Sequence, residues 1–136
     1  MRLVLRTMCV ALLAVAGCSR DVTGLGPEGA DYRYDFQRVC FCTPEAVQPV
    51  TIEVRDGRVA RVVTRPRGED VTNARFASWP TIEELVREID DARARGEQNL
   101  VVRYDEKLGY PTFIEIGTLA NDAGVRYTAE KLEYLR

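Results

Sequence analysis

Asp56-Gly57 stands between two segments of alternating character, Val50-Thr51-Ile52-Glu53-Val54-Arg55 before it and Arg58-Val59-Ala60-Arg61-Val62-Val63 after it. Alternation of apolar and polar residues marks a strand with one buried face. Asp-Gly supplies the two positive φ angles of a tight hairpin turn. Such a hairpin is antiparallel, and its apolar face must be buried against other elements. The register is imperfect. A plain two-residue turn sets Val54 opposite Val59 but Ile52 opposite Arg61, which requires a bulge or a partly exposed face.

Other segments supply partners for the hairpin. Tyr32-Arg33-Tyr34-Asp35-Phe36 alternates aromatic with polar residues, and Cys40-Phe41-Cys42 extends it up to the stop at Thr43-Pro44. Pro66 to Ser78 reads as an irregular connection. Thr81 and Glu84 then form a capping box, in which each side chain satisfies the other's backbone donor. Ile82, Leu85, Val86, Ile89 and Ala92 fall on one helical face. Glu83/Arg87 and Asp91/Arg95 are i,i+4 pairs of favourable order, and Gly96 supplies a left-handed stop. Trp79-Pro80, just before the helix, reads as a lid on the core or an N-terminal staple. Leu100–Tyr104, Phe113–Ile116 and Val125–Thr128 are three more strands, separated by turn formers at Gly109, Pro111 and Asn121-Asp122-Ala123-Gly124. Ala129 to Leu135 reads equally well as a terminal helical turn. The order β-β-β-α-β-β-β predicts an α+β domain, a single antiparallel sheet with one amphipathic helix packed on a face.

The Cys40-Phe41-Cys42 strand end, the Asp56-Gly57 hairpin, the Thr81-Ile82-Glu83-Glu84-Leu85 helix start and Tyr104-Asp105 followed by Gly109-Tyr110-Pro111-Thr112 occur together in this order. In this combination the chain resembles DUF6174, a family of small bacterial lipoproteins, over roughly residues 31–130. Gly117 departs from the resemblance, which places aspartate after the Ile-x-Ile strand. The resemblance implies a compartment and an architecture but no activity.

The N-terminus carries an address. Arg2 and Arg6 precede the apolar run Met8 to Ala16, the order of an export signal, and the run is shorter than the ~20 residues of a membrane-spanning helix. Val15-Ala16-Gly17-Cys18 resembles the lipobox of bacterial lipoproteins. The resemblance implies diacylglycerol on the Cys18 thiol, cleavage before Cys18 and often a further acyl chain on the new amine. Two or three chains on one residue anchor a protein stably. Residues 1–17 are therefore read as a lipoprotein signal peptide, 18–30 as a flexible tether and 31–136 as the domain. The implied location is the cell envelope, and Ser19 after the cysteine favours the outer membrane if the cell has two.

Loss of the signal removes Arg2 and Arg6. Lys plus Arg then falls from 19 to 17 against 21 acidic residues, a formal charge of −4. A mildly acidic exported chain is poorly suited to nucleic acid. There is no histidine, so the commonest general base and metal ligand is missing. Serine-histidine and cysteine-histidine catalysis and histidine zinc sites are excluded within the chain. No catalytic residue, metal ligand or cofactor is assigned beyond the lipid on Cys18, and an enzyme is not expected.

With Cys9 in the signal and Cys18 acylated, Cys40 and Cys42 are the remaining thiols. Residues i and i+2 of a strand share a face, with Cα atoms about 6–7 Å apart, at the outer edge of disulfide geometry. A bend near Thr43-Pro44 closes the gap. A structural disulfide is the favoured reading, with inert thiols and a redox or metal-binding pair as alternatives. Asp105, Tyr110 and Asp122 form a candidate binding surface for a cation or peptide, set against the weightier reading of a loop whose Tyr110 packs on the sheet. Two functions follow. One is a non-catalytic envelope lipoprotein presenting its domain to a protein or wall partner. The other is a thiol-disulfide or metal-handling protein using Cys40 and Cys42.

Overall fold

The computed structural model describes residues 29–71 and 79–136. The signal peptide, Cys18 and all but Gly29 and Ala30 of the expected tether lie outside these residues, as do positions 72–78 of the connection before the helix. In chain order the elements are β1 (Tyr32–Cys40), α1 (Pro44–Val47), β2 (Val50–Arg55), β3 (Arg58–Thr64), α2 (Ile82–Ala94), β4 (Leu100–Tyr104), β5 (Pro111–Ile116), a 3₁₀ turn (Leu119–Asn121) and β6 (Val125–Tyr134). The strands form one antiparallel sheet in the order β3-β2-β1-β6-β5-β4. The first and last strands are thus its centre.

The α+β expectation is corrected. Among the described residues strand makes up 44% and helix 19%, which makes this a β-sheet domain rather than a two-layer α+β fold. Capping and periodicity make the helix signal strong, but they do not measure how far strands extend. β1 runs on to Cys40, paired with Val125, and β6 continues to Tyr134 along β1. The helical turn that stood as an alternative for Ala129 to Leu135 is therefore strand as far as Tyr134. Tyr127, Ala129 and Leu132 all point to the core, and Lys131, at φ 54°, takes up the odd residue between Ala129 and Leu132. A bulge of this kind re-phases a strand without ending its ladder. The hairpin is likewise bulged after Glu53, so Ile52 faces Val62 and not Arg61.

Helix α2 packs its apolar stripe, Ile82, Leu85, Ile89 and Ala92, on Tyr32, Tyr34, Phe36, Ile52 and Ile114 of the sheet, with Trp79 edge-on to Phe36 at 6.2 Å. Each fully buried large aliphatic side chain contributes about 1.5–3 kcal/mol. The capping box is complete: Glu84 N–H donates to Thr81 Oγ1 at 3.2 Å and Thr81 N–H to Glu84 Oε2 at 2.7 Å. The expected i,i+4 pairs give way to i,i+3 pairs, Arg87–Glu84 and Arg93–Asp90. Glu83 is turned instead to the sheet, where it takes the Tyr32 hydroxyl at 2.6 Å. That hydroxyl also accepts the N–H of Ile82 at 2.9 Å. Tyr34 donates to the Pro80 carbonyl and Tyr127 to Glu88 at 2.7 Å. Tyr32 and Tyr127 therefore hold α2 through their phenol tips, and Tyr34 holds Pro80 just before its N-cap. Burial is the leading cause that raises the pKa of all three phenols above the usual tyrosine range, with the Glu83 and Glu88 carboxylates adding to it at Tyr32 and Tyr127.

Candidate functional site

Strand alternation gives the sheet a second face, turned away from α2, and its residues are half-buried or exposed. Toward β3, β2 and the start of β1 this face is a grid of paired charges. Arg61 meets Asp70 at 2.7 Å, Arg55 meets Glu53 at 2.6 Å and Arg33 meets Glu133 at 2.9 Å. Asp35, the best shielded, takes Thr51 at 2.7 Å, Arg65 at 2.8 Å and Lys131 at 3.3 Å.

The other half differs in chemistry. Cross-strand pairing sets Val39, Arg126, Glu115 and Val101 in one row and Gln37, Thr128, Phe113 and Arg103 in the next. Val39 and Val101 are 41% and 45% exposed, on a face where charges occupy the equivalent positions nearer β3. The Phe113 ring lies between two guanidinium groups, Arg103 at 4.8 Å and Arg126 at 5.5 Å from its centroid. Arg126 also grips Glu115 Oε2 through Nε at 2.8 Å and Nη2 at 2.6 Å. Stacking on a ring fixes a guanidinium plane while leaving its edge donors for a ligand.

A cleft of about 450 Å³ opens at the end of these rows, between Gln98, Asn99 and Val101 on one side and Thr118, Leu119 and Arg126 on the other. Its wall is the β5–β6 connection, held by Gly117 N–H on the Asn99 carbonyl at 2.9 Å and by Asn99 Nδ2 on Thr118 at 3.2 Å. Gly117 adopts φ +74°, and a β-carbon there would lie 2.6 Å from the Ala123 carbonyl oxygen. The aspartate that the resemblance places at this position would therefore require the loop to move.

The same end of the sheet carries the cysteines. β1 stops at Cys40, the chain bends at Phe41, and the Cys40 and Cys42 Cα atoms come within 5.2 Å with their sulfurs in bonding contact. Cys42 is exposed, Cys40 half-buried. Phe41 stands out at 84% exposure.

The family model described as "Family of unknown function (DUF6174)" matches residues 27–134. The chain belongs to this family. No curated protein and no solved structure matches it. Membership covers nearly the whole described DUF6174 domain, both halves of the open face included, and brings no chemistry with it.

The candidate surface of Asp105, Tyr110 and Asp122 is spread over the DUF6174 domain. Asp105 Oδ1 accepts the N–H groups of Lys107 at 2.9 Å and Leu108 at 2.7 Å, so it ties the β4–β5 turn to itself. Tyr110 is buried in the core and its hydroxyl reaches the Leu132 backbone. Asp122, in the left-handed conformation, closes the 3₁₀ turn at the other end of β5. The six residues of β5 separate Tyr110 from that end by about 20 Å. Among the described residues no group of three or more His, Cys, Asp and Glu converges as a metal site, and no helix is long and apolar enough to cross a membrane. Val39, Val101, Arg103, Phe113 and Arg126, which share this half of the open face, and Phe41, just beyond the end of β1, escaped the sequence reading. Their signal is apolar side chains at the outward positions of alternating strands, legible only once register and sheet order are known.

Proposed function

We propose that this DUF6174 protein is a lipid-anchored, non-catalytic component of the cell envelope that binds a partner through the apolar half of its open sheet face. The observation that carries the reading is the exposure of Val39, Phe41 and Val101 beside the Arg103–Phe113–Arg126 stack. Large apolar side chains exposed on a face otherwise made of paired charges favour an interaction surface. Its position suits an anchored molecule. The chain enters the sheet at Tyr32, and the nine residues of β1 carry Cys40 and Phe41 about 30 Å from that entry. The resemblance of Val15-Ala16-Gly17-Cys18 to a lipobox supports a location outside the cytoplasm, and Ser19 supports the outer membrane if the cell has two.

A second reading, thiol-disulfide or metal exchange at Cys40 and Cys42, draws on the exposure of Cys42 beside Phe41. Chemical crosslinking in producing cells separates the two. Under the binding reading, Phe41→Ser/Val101→Ser loses the adducts formed by the wild type, and Cys40→Ser/Cys42→Ser keeps them. Adducts lost only with the cysteines would shift the assignment to the thiol pair.

A further inference from the structure

The two edges of the sheet are unlike. At β3 the following segment folds back onto the edge: Val63 bridges Asp70, Thr64 N–H donates to the Glu69 carbonyl and Val71 N–H to the Val62 carbonyl, both at 2.9 Å. At β4 nothing comparable is present among the described residues, and its ladder is to β5 alone. Because Gly117 and Asn99 are a hydrogen-bonded pair, the antiparallel alternation gives Val101 and Arg103 to β5. Leu100 and Val102 then turn their N–H and carbonyl groups outward. Bare edges are usually blunted by lysine, proline or inward charge. Leu100-Val101-Val102-Arg103-Tyr104 has neither lysine nor proline, turns its one charge, Arg103, to the open face and not inward, and exposes Val101 and Tyr104 at 45% and 43%.

The side chains say what would sit there. Arg103 is stacked on Phe113 and has no ion pair among the described residues, whereas Arg126, on the same ring, is matched by Glu115. A strand laid on β4 places one residue opposite Arg103 and, two positions away on the same face, another opposite Val101 beside the cleft at Leu119. The first position calls for a carboxylate, the second for an apolar side chain. A second copy of the chain meets this poorly. Antiparallel β4–β4 pairing about Val102 would set the two Arg103 side chains diagonally on one face, with neither neutralised.

We propose that the β4 edge takes up an extended, acidic segment of a partner protein as a seventh strand, its carboxylate on Arg103 and an apolar side chain two residues away over Val101 and the cleft. The proposal rests on the open-face reading and names the partner's chemistry.

The test presents full-length protein in detergent micelles with a random ten-residue peptide library. Enriched peptides are expected to carry Asp or Glu two positions from an apolar residue. With the best peptide bound, amide exchange at Leu100 and Val102 should slow, while Val101 and Arg103, already bonded to β5, should not change. Arg103→Glu should weaken that peptide by about tenfold or more, the value of one charge-assisted hydrogen bond. Val101→Lys, an exposed change that blunts the edge, should do the same with an unchanged melt. A library with no enrichment overturns the proposal. So does a peptide whose protection maps to Phe41 and whose affinity survives Arg103→Glu, which would leave the face as a docking surface and remove strand addition.

Discussion

Tyr32→Phe removes one oxygen atom from the clamp between sheet and helix, and the structure sets its cost. That oxygen accepts the N–H of Ile82, a first-turn donor with no partner inside α2, at 2.9 Å, and donates to Glu83 at 2.6 Å. Ile82 is fully buried, so its orphaned N–H costs about 1–3 kcal/mol. Glu83 is exposed and regains water, so its lost bond adds less than about 1 kcal/mol. The expected loss is about 2 kcal/mol, a fall in Tm on the order of 10 °C for a domain of this size. Tyr134→Phe is the control, because the Tyr134 hydroxyl is buried without a hydrogen-bond partner among the described residues. Removing it should cost nothing measurable or stabilise slightly, since it relieves an unsatisfied polar atom. Urea titration with matched thermal melts measures both. A Tyr32→Phe variant as stable as wild type, or equal losses in both variants, would refute the reasoning.

Cys18→Ser is expected to abolish palmitate incorporation in producing cells; equal labelling of the variant would contradict the lipobox reading. Cys40→Ser/Cys42→Ser should lower stability by about 1–2 kcal/mol, the entropy of a very small closed loop, with export unchanged, as read by melts and fractionation. Stability should also fall in alkali. The phenols of Tyr32, Tyr34 and Tyr127 are held above their usual range in the folded state. Their stabilisation is therefore complete below the unfolded value of about 10 and is lost as pH rises beyond it. Melts from pH 8 to 11 should show a decline starting near pH 10, shallower in Tyr32→Phe/Tyr127→Phe, and a flat profile for wild type would contradict the clamp.

Local rules carried much of the sheet and helix. Alternation around Asp56-Gly57 located β2 and β3 and called for a bulge or a partly exposed face, of which the structure has the bulge, and the Thr81/Glu84 box located the start of α2. What local rules could not measure was strand length. β6 reads ambiguously after Thr128 because Glu130 and Lys131 together break its alternation, and only pairing with β1 along Tyr32–Cys40 keeps it extended. The class changed for that reason. The site was less legible. Asp105 and Asp122 stood out as carboxylates in turns, yet turns use such side chains to satisfy their own backbone, as Asp105 does. Phe113 and Val101 lie in segments read as strands, and only the register shows that they face outward. Arg103 and Arg126 meet on the Phe113 ring only because β6, the last strand in the chain, inserts between β1 and β5.

The central claim is that one half of the open face meets a partner and the other does not. Its most direct test places a photo-crosslinking residue, one at a time, at positions 41, 101 and 113 and at positions 33, 53 and 61 of the full-length protein in producing cells. The account expects one recurrent adduct from the first three positions, abolished by Cys18→Ser if the partner is met at the membrane, and none above background from the charge-paired positions. Equal adducts from both halves, or adducts from 33, 53 and 61 alone, would contradict it.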